Sequence, residues 1–335
     1  MKADTSFMGD YARQLVQRRQ NVELRANLDR LAQETATGRV ADLAGTLKGD
    51  FTQLASFERD LTDLAAYTTS SKELRTRMEA SQRALQNVQD TTLDFGGDLI
   101  GAQSGRGVGL DVLSSDARGR FLSVVAALNA SAAGRSLFAG VATDGPALAP
   151  AEDMLAELET AVAAAPDAAA AEAAIRDWFA PGGGFDTDGY LGSTTALQAQ
   201  TVAPGVALAG DVSADAAAFR DVMAALALAA LSDAGPMAGD QIGQRDRLVR
   251  AGTSLLAAQA GVSELRSQIG ATEARLEEVT SRLAAETDAI VRARALVTDV
   301  DVFDRAARLE DAQTQLELLY AITARSARLT LANAL

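Results

Sequence analysis

Residues 54–99 read LASFERDLTDLAAYTTSSKELRTRMEASQRALQNVQDTTLDFGGDL. Apolar or small side chains recur in this stretch at intervals of three and four residues, with one repeated interval of three between Thr68 and Leu74. This heptad pattern with a single stammer predicts a long helix that buries one stripe of side chains against a partner helix. No Pro or Gly lies between Phe51 and Phe95, so the helix should extend for roughly 65 Å at about 1.5 Å per residue. The stripe consists of Leu54, Phe57, Leu61, Leu64, Thr68, Ser71, Leu74, Met78, Ser81, Leu85, Val88, Thr92, Phe95 and Leu99.

A second stripe near the other end of the chain matches the first in spacing. It predicts a second long helix that can pack lengthwise against the first. We therefore predict a mainly α fold, in which the N- and C-terminal halves form a long antiparallel helical rod, or coiled-coil bundle. A shorter helix is expected from about Ser115 to Gly134, with Ser114, Ser115 and Asp116 as its N-terminal caps. The second stripe consists of Leu265, Ile269, Thr272, Leu276, Val279, Leu283, Glu286 and Ile290.

The segment between the paired helices has a different composition. Residues 147–238 contain 13 Asp or Glu and two Arg, so they carry −11 of the formal net charge of −14. Alanine-rich runs predict three short helices, and residues 195–210 alternate weakly about Pro204-Gly205, as a β-hairpin does. This pattern predicts a small α+β domain inserted into the rod. The predicted domains are 1–45 (N-terminal assembly helix), 46–140 (rod, N-terminal half), 141–240 (inserted outer domain), 241–295 (rod, C-terminal half) and 296–335 (C-terminal assembly helix).

The composition excludes several kinds of chemistry. The 335 residues include no Cys and no His, which rules out disulfides, thiolate or imidazole metal ligands, and Ser-His or Cys-His nucleophiles. The net charge of −14 argues against nucleic acid and anionic membranes as partners. No apolar run has the length of a signal peptide near the start or of a membrane span elsewhere. We therefore predict no catalytic residue, no metal site, no cofactor and no membrane insertion.

Four short motifs have a possible functional interpretation beside a structural one. GRGVG at 105–109 lacks the Lys of a phosphate loop and follows no strand, so a hinge is expected. DTDG at 186–189 begins like a calcium loop, but its twelfth position is Leu197 rather than Glu, and a turn is expected. The carboxylates of DVDVFD at 299–304 are expected to cap a helix, with a metal site or an acid–base pair as the alternative. Asn129 begins an Asn-Ala-Ser glycosylation pattern that we expect to lie within a helix.

Both ends of the chain are amphipathic, and no other segment is an obvious cover for them. Burying a Leu contributes roughly 1.5–3 kcal/mol, whereas ordering one residue costs roughly 1–2 kcal/mol of backbone entropy. We therefore predict that residues of about 1–40 and 296–335 pair as a two-helix coiled coil only when packed against other copies. Phe303 and Tyr320 are interpreted as packing anchors. The predicted assembly residues are Met8, Tyr11, Leu15, Leu24, Leu28, Leu31, Phe303, Leu309, Leu316, Leu319, Tyr320 and Ile322.

Three stretches resemble the flagellin superfamily. LAQETATGRVADLAG at 31–45 is similar to the turn after the first flagellin helix, with Thr37-Gly38-Arg39 matching its small-Gly-basic core. SLFAGVATDGPAL at 136–148 resembles the Phe-Ala-Gly stretch that enters the outer domain in the hook–filament junction branch of the superfamily. LVTDVDVFDRAARLEDAQTQLELLYAITAR at 296–325 resembles the C-terminal helix shared across the superfamily. The resemblance extends over the whole chain except the insert.

The resemblance implies a structural, non-enzymatic subunit of the bacterial flagellum that joins hook to filament and is located outside the cell. It implies self-assembly into a helical or ring-like multimer, with a neighbouring hook-associated protein and flagellin as partners. It also implies export without a cleaved signal peptide, by an export chaperone and the flagellar export apparatus. Three alternatives stay open: a filament flagellin, a coiled-coil signalling protein, and an all-helical enzyme that uses carboxylates, which the absence of histidine disfavours.

Overall fold

The computed structural model of this chain describes the backbone of residues 4–104 and 109–334 and the side chains of residues 15–103 and 109–325. In this part of the chain long helices dominate, and the strands form two small antiparallel hairpins. The helices are α1 (Asp4–Thr37), α2 (Leu43–Thr46), α3 (Thr52–Gly101), α4 (Leu110–Leu128), α5 (Ala151–Ala163), α6 (Ala168–Phe179), α7 (Ala217–Ala230), α8 (Gln241–Thr298) and α9 (Val302–Ala334). The hairpins pair β1 (Ser131–Ala132) with β2 (Arg135–Ser136) and β3 (Gln200–Ala203) with β4 (Val206–Leu208).

The chain divides into two compact units. The terminal unit comprises the residues up to Asp63 together with those from Ala284 onward, and the central unit comprises Leu64–Leu283. Helices α3 and α8 contribute residues to both units. The terminal unit therefore contains α1, α2 and α9 together with one end each of α3 and α8.

The heptad stripe of α3 is the side on which this helix is covered. Met78, Leu85, Val88 and Phe95 are fully buried, and the remaining residues of the predicted stripe are buried or half-buried. Covering such a stripe removes apolar surface from water while the opposite side of the helix keeps its charged residues hydrated. The prediction of a heptad helix over this stretch is confirmed.

Helix α8 supplies the cover in the central unit and runs antiparallel to α3. Contacts that join the two helices are Arg75–Glu277, Gln82–Arg266 and Gln89–Ser263. Residue numbers rise along α3 as they fall along α8, so the helices have opposite directions. A Cβ on Gly252 would lie 2.7 Å from the carbonyl oxygen of Gly96, so the absence of a side chain at Gly252 permits this close approach. The predicted fold class, with long antiparallel helices from the two halves and a small α+β insert, is confirmed.

The stripe predicted on α8 differs from the observed one in two details. Glu286 is exposed, and the next residue, Thr287, is half-buried in its place. The covered side also begins earlier than predicted, because Leu248 and Leu255 are fully buried. The intervening Ala and Gly residues weaken the apolar periodicity in this part of the sequence, although small residues pack well between close helices.

Helix α4 begins and ends earlier than predicted. It starts at Leu110 after Gly109, which offers no side-chain cap, so the predicted caps Ser114, Ser115 and Asp116 lie inside the helix. The Ser114 hydroxyl instead donates to the Leu110 carbonyl oxygen at 3.2 Å. Gly134, the predicted helix end, has a φ of +77° in the turn between β1 and β2. The polar residues that resemble caps therefore placed the predicted start of this helix five residues too late, at Ser115 instead of Leu110.

The insert contains the helices and the β-hairpin that the sequence predicts. Helices α5, α6 and α7 lie where the alanine-rich runs are, and β3 and β4 form the predicted hairpin at Pro204-Gly205. In its core Phe138 meets Phe219 edge-on, with ring centres 6.3 Å apart. Gly140, which follows in the Phe-Ala-Gly stretch, has a φ of +58°, and a Cβ there would lie 2.4 Å from a backbone carbonyl oxygen. Only glycine fits at this position.

Candidate assembly surface

Helices α1 and α9 pack against each other within the terminal unit of a single chain. The structure differs here from the prediction that the two ends pair only when packed against other copies. Leu31 on α1 and Ala312 on α9 are buried, and neighbouring Leu residues at intervals of three or four are half-buried. This spacing places them on one side of each helix. We call this side the inner seam.

The predicted assembly residues divide into two groups with different surroundings. Leu31 is buried, and Leu24, Leu28, Leu309, Leu316 and Leu319 are half-buried. The exposed members are Leu15, Phe303, Tyr320 and Ile322. The side chains of Met8 and Tyr11 lie outside the described residues. The first group belongs to the inner seam, and the second is accessible to other molecules.

Three of the exposed apolar residues in the described part of α9 share one side of the helix, which forms a second stripe. Phe303 is 87% exposed, Leu318 57% and Ile322 60%. At 3.6 residues per turn these three positions fall within an arc of about 100° on the side opposite the inner seam. On α1, Leu15 and Val22 are seven residues apart and therefore share one side, where Val22 is 63% exposed. We call these five residues the outer stripes.

The list of predicted assembly residues contains neither Leu318 nor Val22, which are both exposed. Leu318 lies between Leu316 and Leu319, which belong to the inner seam, so the three together obscure the periodicity. The signal that could have found it is its spacing of four from Ile322. Helix α9 therefore has apolar side chains on two sides, one facing α1 and one exposed.

The terminal unit buries very little apolar surface. Of the 57 apolar side chains buried in the described part of the chain, Leu31 and Ala312 alone belong to this unit, and the others belong to the central unit. Buried apolar area is the main favourable term in folding. The terminal helices therefore have little of the stabilisation that the central unit has.

The charge of the terminal unit is nearly balanced. It contains 15 Lys or Arg and 18 Asp or Glu, for a net charge of −3, whereas the whole chain carries −14. Copies of a surface can pack together only if like charges do not accumulate at the contact. A near-neutral unit with exposed apolar stripes meets that condition.

Two breaks in the helices lie side by side in this unit. One follows α1 at Gly38, and the other lies between α8 and α9 at Asp299. The Val40 N–H donates to the Thr298 carbonyl oxygen at 2.9 Å, and the Val300 N–H donates to the Gly38 carbonyl oxygen at 3.0 Å. Gly38 has a φ of +67°, which glycine adopts without strain. The Gly of the flagellin-like turn therefore ends α1 where the chain pairs with the start of α9.

Tyr320 of α9 contacts Arg25 of α1. The Arg25 guanidinium donates to its hydroxyl oxygen at 3.1 Å and lies 5.9 Å from the ring centre. This hydrogen bond from a cation favours the phenolate and lowers the pKa of Tyr320 below its usual 10.0. Tyr320 thus joins the two helices at the edge of the inner seam.

Two of the four short motifs have the expected structural roles. Asp301 accepts from the Phe303 N–H at 2.9 Å and caps α9. In the DTDG segment, Asp186 accepts from the Gly182 N–H at 2.6 Å and pairs with Arg220. The Gly182 hydrogen bond and the guanidinium lower the pKa of Asp186. Residues Phe185–Gly189 form a single π-helical turn, in agreement with the predicted turn.

The other two motifs are GRGVG at 105–109 and the glycosylation pattern that begins at Asn129, and neither prediction is confirmed. Residues 105–108 of the predicted hinge lie outside the described residues. The expectation that Asn129 lies within a helix was wrong, since α4 ends at Leu128. The Asn129 side-chain amide donates to the Leu148 carbonyl oxygen at 3.0 Å, and its oxygen accepts from the Leu148 N–H at 2.8 Å. A side chain with both groups engaged in this way has a structural role.

The described residues offer little to a metal or a cofactor. No three acidic side chains in this part of the chain come close enough to share a metal ion.

Helices α6, α7 and α8 border a groove of about 610 Å³, where Glu172 and Arg250 pair with each other at 2.7 Å. Six of the 14 residues that line this groove are alanine, and such small side chains leave space between helices. Among the described residues, no helix combines the length and the apolar character needed to cross a bilayer.

Comparison with known proteins agrees with the resemblance in the sequence. The family model described as the bacterial flagellin C-terminal helical region matches residues 254–333, from within α8 through most of α9. Among solved structures, a candidate flagellar hook-associated protein from Vibrio parahaemolyticus is similar to this chain, with a TM-score of 0.50 and 15% identity. The similarity covers 74% of this chain and 99% of that one. No curated protein matches the sequence. The predicted resemblance to the flagellin superfamily is confirmed for residues 254–333.

Proposed function

We propose that this chain, which contains the C-terminal helical region of the bacterial flagellins, is a structural subunit of the bacterial flagellum at the junction of hook and filament. The family match supports the flagellar role. The similarity of fold to a candidate flagellar hook-associated protein favours the hook-associated branch. The observation that carries the proposal is the terminal unit, whose helices have exposed apolar stripes and almost no core of their own.

The proposed mechanism is assembly through these helices. The inner seam holds α9 on α1 within one molecule, and the outer stripes meet neighbouring copies. Each buried Leu, Ile or Phe then contributes roughly 1.5–3 kcal/mol that the single molecule lacks. Since the contributing residues lie on both terminal helices, each copy can contact others on more than one side, as a helical or ring-like multimer requires.

The proposed surroundings follow from this role. The subunit lies outside the cell, between a neighbouring hook-associated protein and flagellin. It reaches that place through the flagellar export apparatus with the help of an export chaperone. We propose a structural role without catalysis, and a chain without cysteine is suited to passage through a narrow channel because no disulfide can block its unfolding.

A filament flagellin is the second candidate, and the family model favours it because that model describes flagellins. Deletion of the gene distinguishes the two. A junction subunit predicts cells with intact hooks, no attached filament and a normal amount of flagellin. A filament subunit predicts loss of the dominant filament protein itself. Motile cells that differ only in chemotactic bias would contradict both.

The outer stripe can be tested with the purified protein. We expect Leu318→Ser to raise the protein concentration at which self-assembly begins by about tenfold or more, because a polar side chain then replaces buried apolar surface. Sedimentation velocity over a concentration series measures this, with circular dichroism to show unchanged helix content.

Leu93→Ser is the matched control for this experiment. Leu93 is 53% exposed, close to the exposure of Leu318, but it lies in the central unit. We expect this variant to assemble like the wild type. Equal behaviour of the two variants would contradict a role for the outer stripe of α9.

A further inference from the structure

Glu34 is a buried carboxylate in a unit that has almost no core. It lies in the last turn of α1, and the residue is 1% exposed. Glutamate is rarely buried unless opposite charges and hydrogen bonds compensate for its lost hydration. Its position therefore requires an explanation from its neighbours.

Three groups from different segments converge on this carboxylate. The Ala41 N–H, in the link after α1, donates to its Oε1 at 3.3 Å. The Arg30 guanidinium, one turn earlier on α1, lies 3.5 Å from the same oxygen. Arg305, in the first turns of α9, has its Nε 3.4 Å from Oε2. The carboxylate thus connects α1, the link and α9 at one point.

The same point is where the two helix breaks pair. The Val40 and Val300 amides form their two backbone hydrogen bonds there, and Arg39 lies opposite Asp299 across this pair. Two isolated backbone hydrogen bonds on a partly exposed link are weak by themselves. Glu34 adds a desolvated charge with two counter-charges, and such a cluster is strongly destabilised if one member is removed.

We propose that Glu34 is an ionic latch that holds the start of α9 on the end of α1. With the latch closed, the terminal helices are tied together beside both helix breaks. With the carboxylate neutralised, Arg305 has no partner on α1, and the two backbone hydrogen bonds open more often. All the contacts of the latch lie within a single molecule. The proposal about the latch therefore does not depend on the proposed flagellar role.

Amide hydrogen exchange on the full-length monomer tests the latch. In Glu34→Gln, which keeps the size of the side chain and removes its charge, we expect the Val40 and Val300 amides to exchange about tenfold faster or more. Glu23→Gln is the matched control, because Glu23 pairs with Arg19 on the same helix but is well exposed. The control should leave both amides unchanged.

A double-mutant cycle separates the latch from simple loss of packing. If Glu34 acts through Arg305, then Glu34→Gln and Arg305→Met together should accelerate exchange clearly less than the product of their separate effects. Unchanged amides in the central unit, around Leu248, would show that each variant folds. Independent effects of the two substitutions, no effect of Glu34→Gln, or wild-type amides that exchange at unfolded rates would each overturn the proposal.

Discussion

Two glutamates show what decides the placement of a single charged residue. Glu286 belongs to a predicted apolar stripe but is exposed, whereas Glu34 belongs to a polar turn sequence but is buried. A carboxylate is buried only where groups that compensate its charge converge on it. For Glu34, Arg305 comes from the other end of the chain. Local spacing therefore predicted neither outcome.

Two tyrosines have opposite shifts in pKa, each with a clear cause. Burial raises the pKa of Tyr190 above its usual 10.0, and the charge of Asp215 adds to this, although a hydrogen bond with Ser213 opposes it. The Arg25 guanidinium lowers the pKa of Tyr320. The two phenols should therefore ionise in a definite order.

We predict that Tyr320 ionises below pH 10 and Tyr190 above it. An ultraviolet titration of the wild type, Tyr320→Phe and Tyr190→Phe measures this, because each variant lacks one step. Since the folded pKa of Tyr190 exceeds its unfolded value, its contribution to stability is complete below about pH 10 and is lost as pH rises through the folded value. A single shared midpoint for both residues would contradict the assignment.

At the scale of elements, periodic segments were predicted far better than helix ends. The stripe of α3 was predicted residue by residue, because a heptad depends only on spacing along one helix. The start of α4 was misplaced, since Ser114 and its neighbours resemble caps but lie inside the helix. The outer stripe of α9 was seen only in part, because Leu318 lies among residues of the inner seam.

The seam between α3 and α8 provides a prediction about stability. We expect Leu85→Ala to lower the free energy of unfolding by about 2–5 kcal/mol, because Leu85 is fully buried and its removal leaves a cavity. Urea unfolding followed by the fluorescence of Trp178, the one tryptophan of the chain, measures this.

Leu93→Ala is the control, because it makes the same change from leucine to alanine at an exposed position. Leu93 lies on the same helix and is largely exposed, so its loss should change the free energy of unfolding by about 0.5 kcal/mol or less. Similar losses in the two variants would mean that the predicted stripe does not distinguish the covered side of α3.

At the scale of the whole molecule, core and charge are divided unequally. The central unit holds nearly all the buried apolar side chains, and the insert within it carries most of the net charge. The terminal unit has little core and little net charge. This division suits a molecule whose ends gain their stabilisation from other copies while the acidic insert remains hydrated.

We predict that protection from amide exchange follows the same division. In dilute solution the amides of α9 between Leu309 and Ile322 should exchange at least about a hundredfold faster than those of α8 between Leu248 and Val262, because few buried contacts oppose their local opening. Exchange measured by mass spectrometry tests this in a single sample. Equal protection of both segments in the monomer would contradict assembly-dependent ordering of the ends.

The sequence by itself determined the long helices, their covered stripe in the central unit, the alanine-rich insert and the resemblance of the C-terminal region to flagellins. These features depend on the order of residues along one helix or on local motifs, so they can be read without knowing what lies opposite. The tertiary structure alone decided which apolar residues of α1 and α9 face each other and which remain exposed. It also decided that Glu34 is buried, because Arg305 reaches it only when the two ends of the chain meet. Burial depends on neighbours in space, and the periodicity of one segment does not specify them.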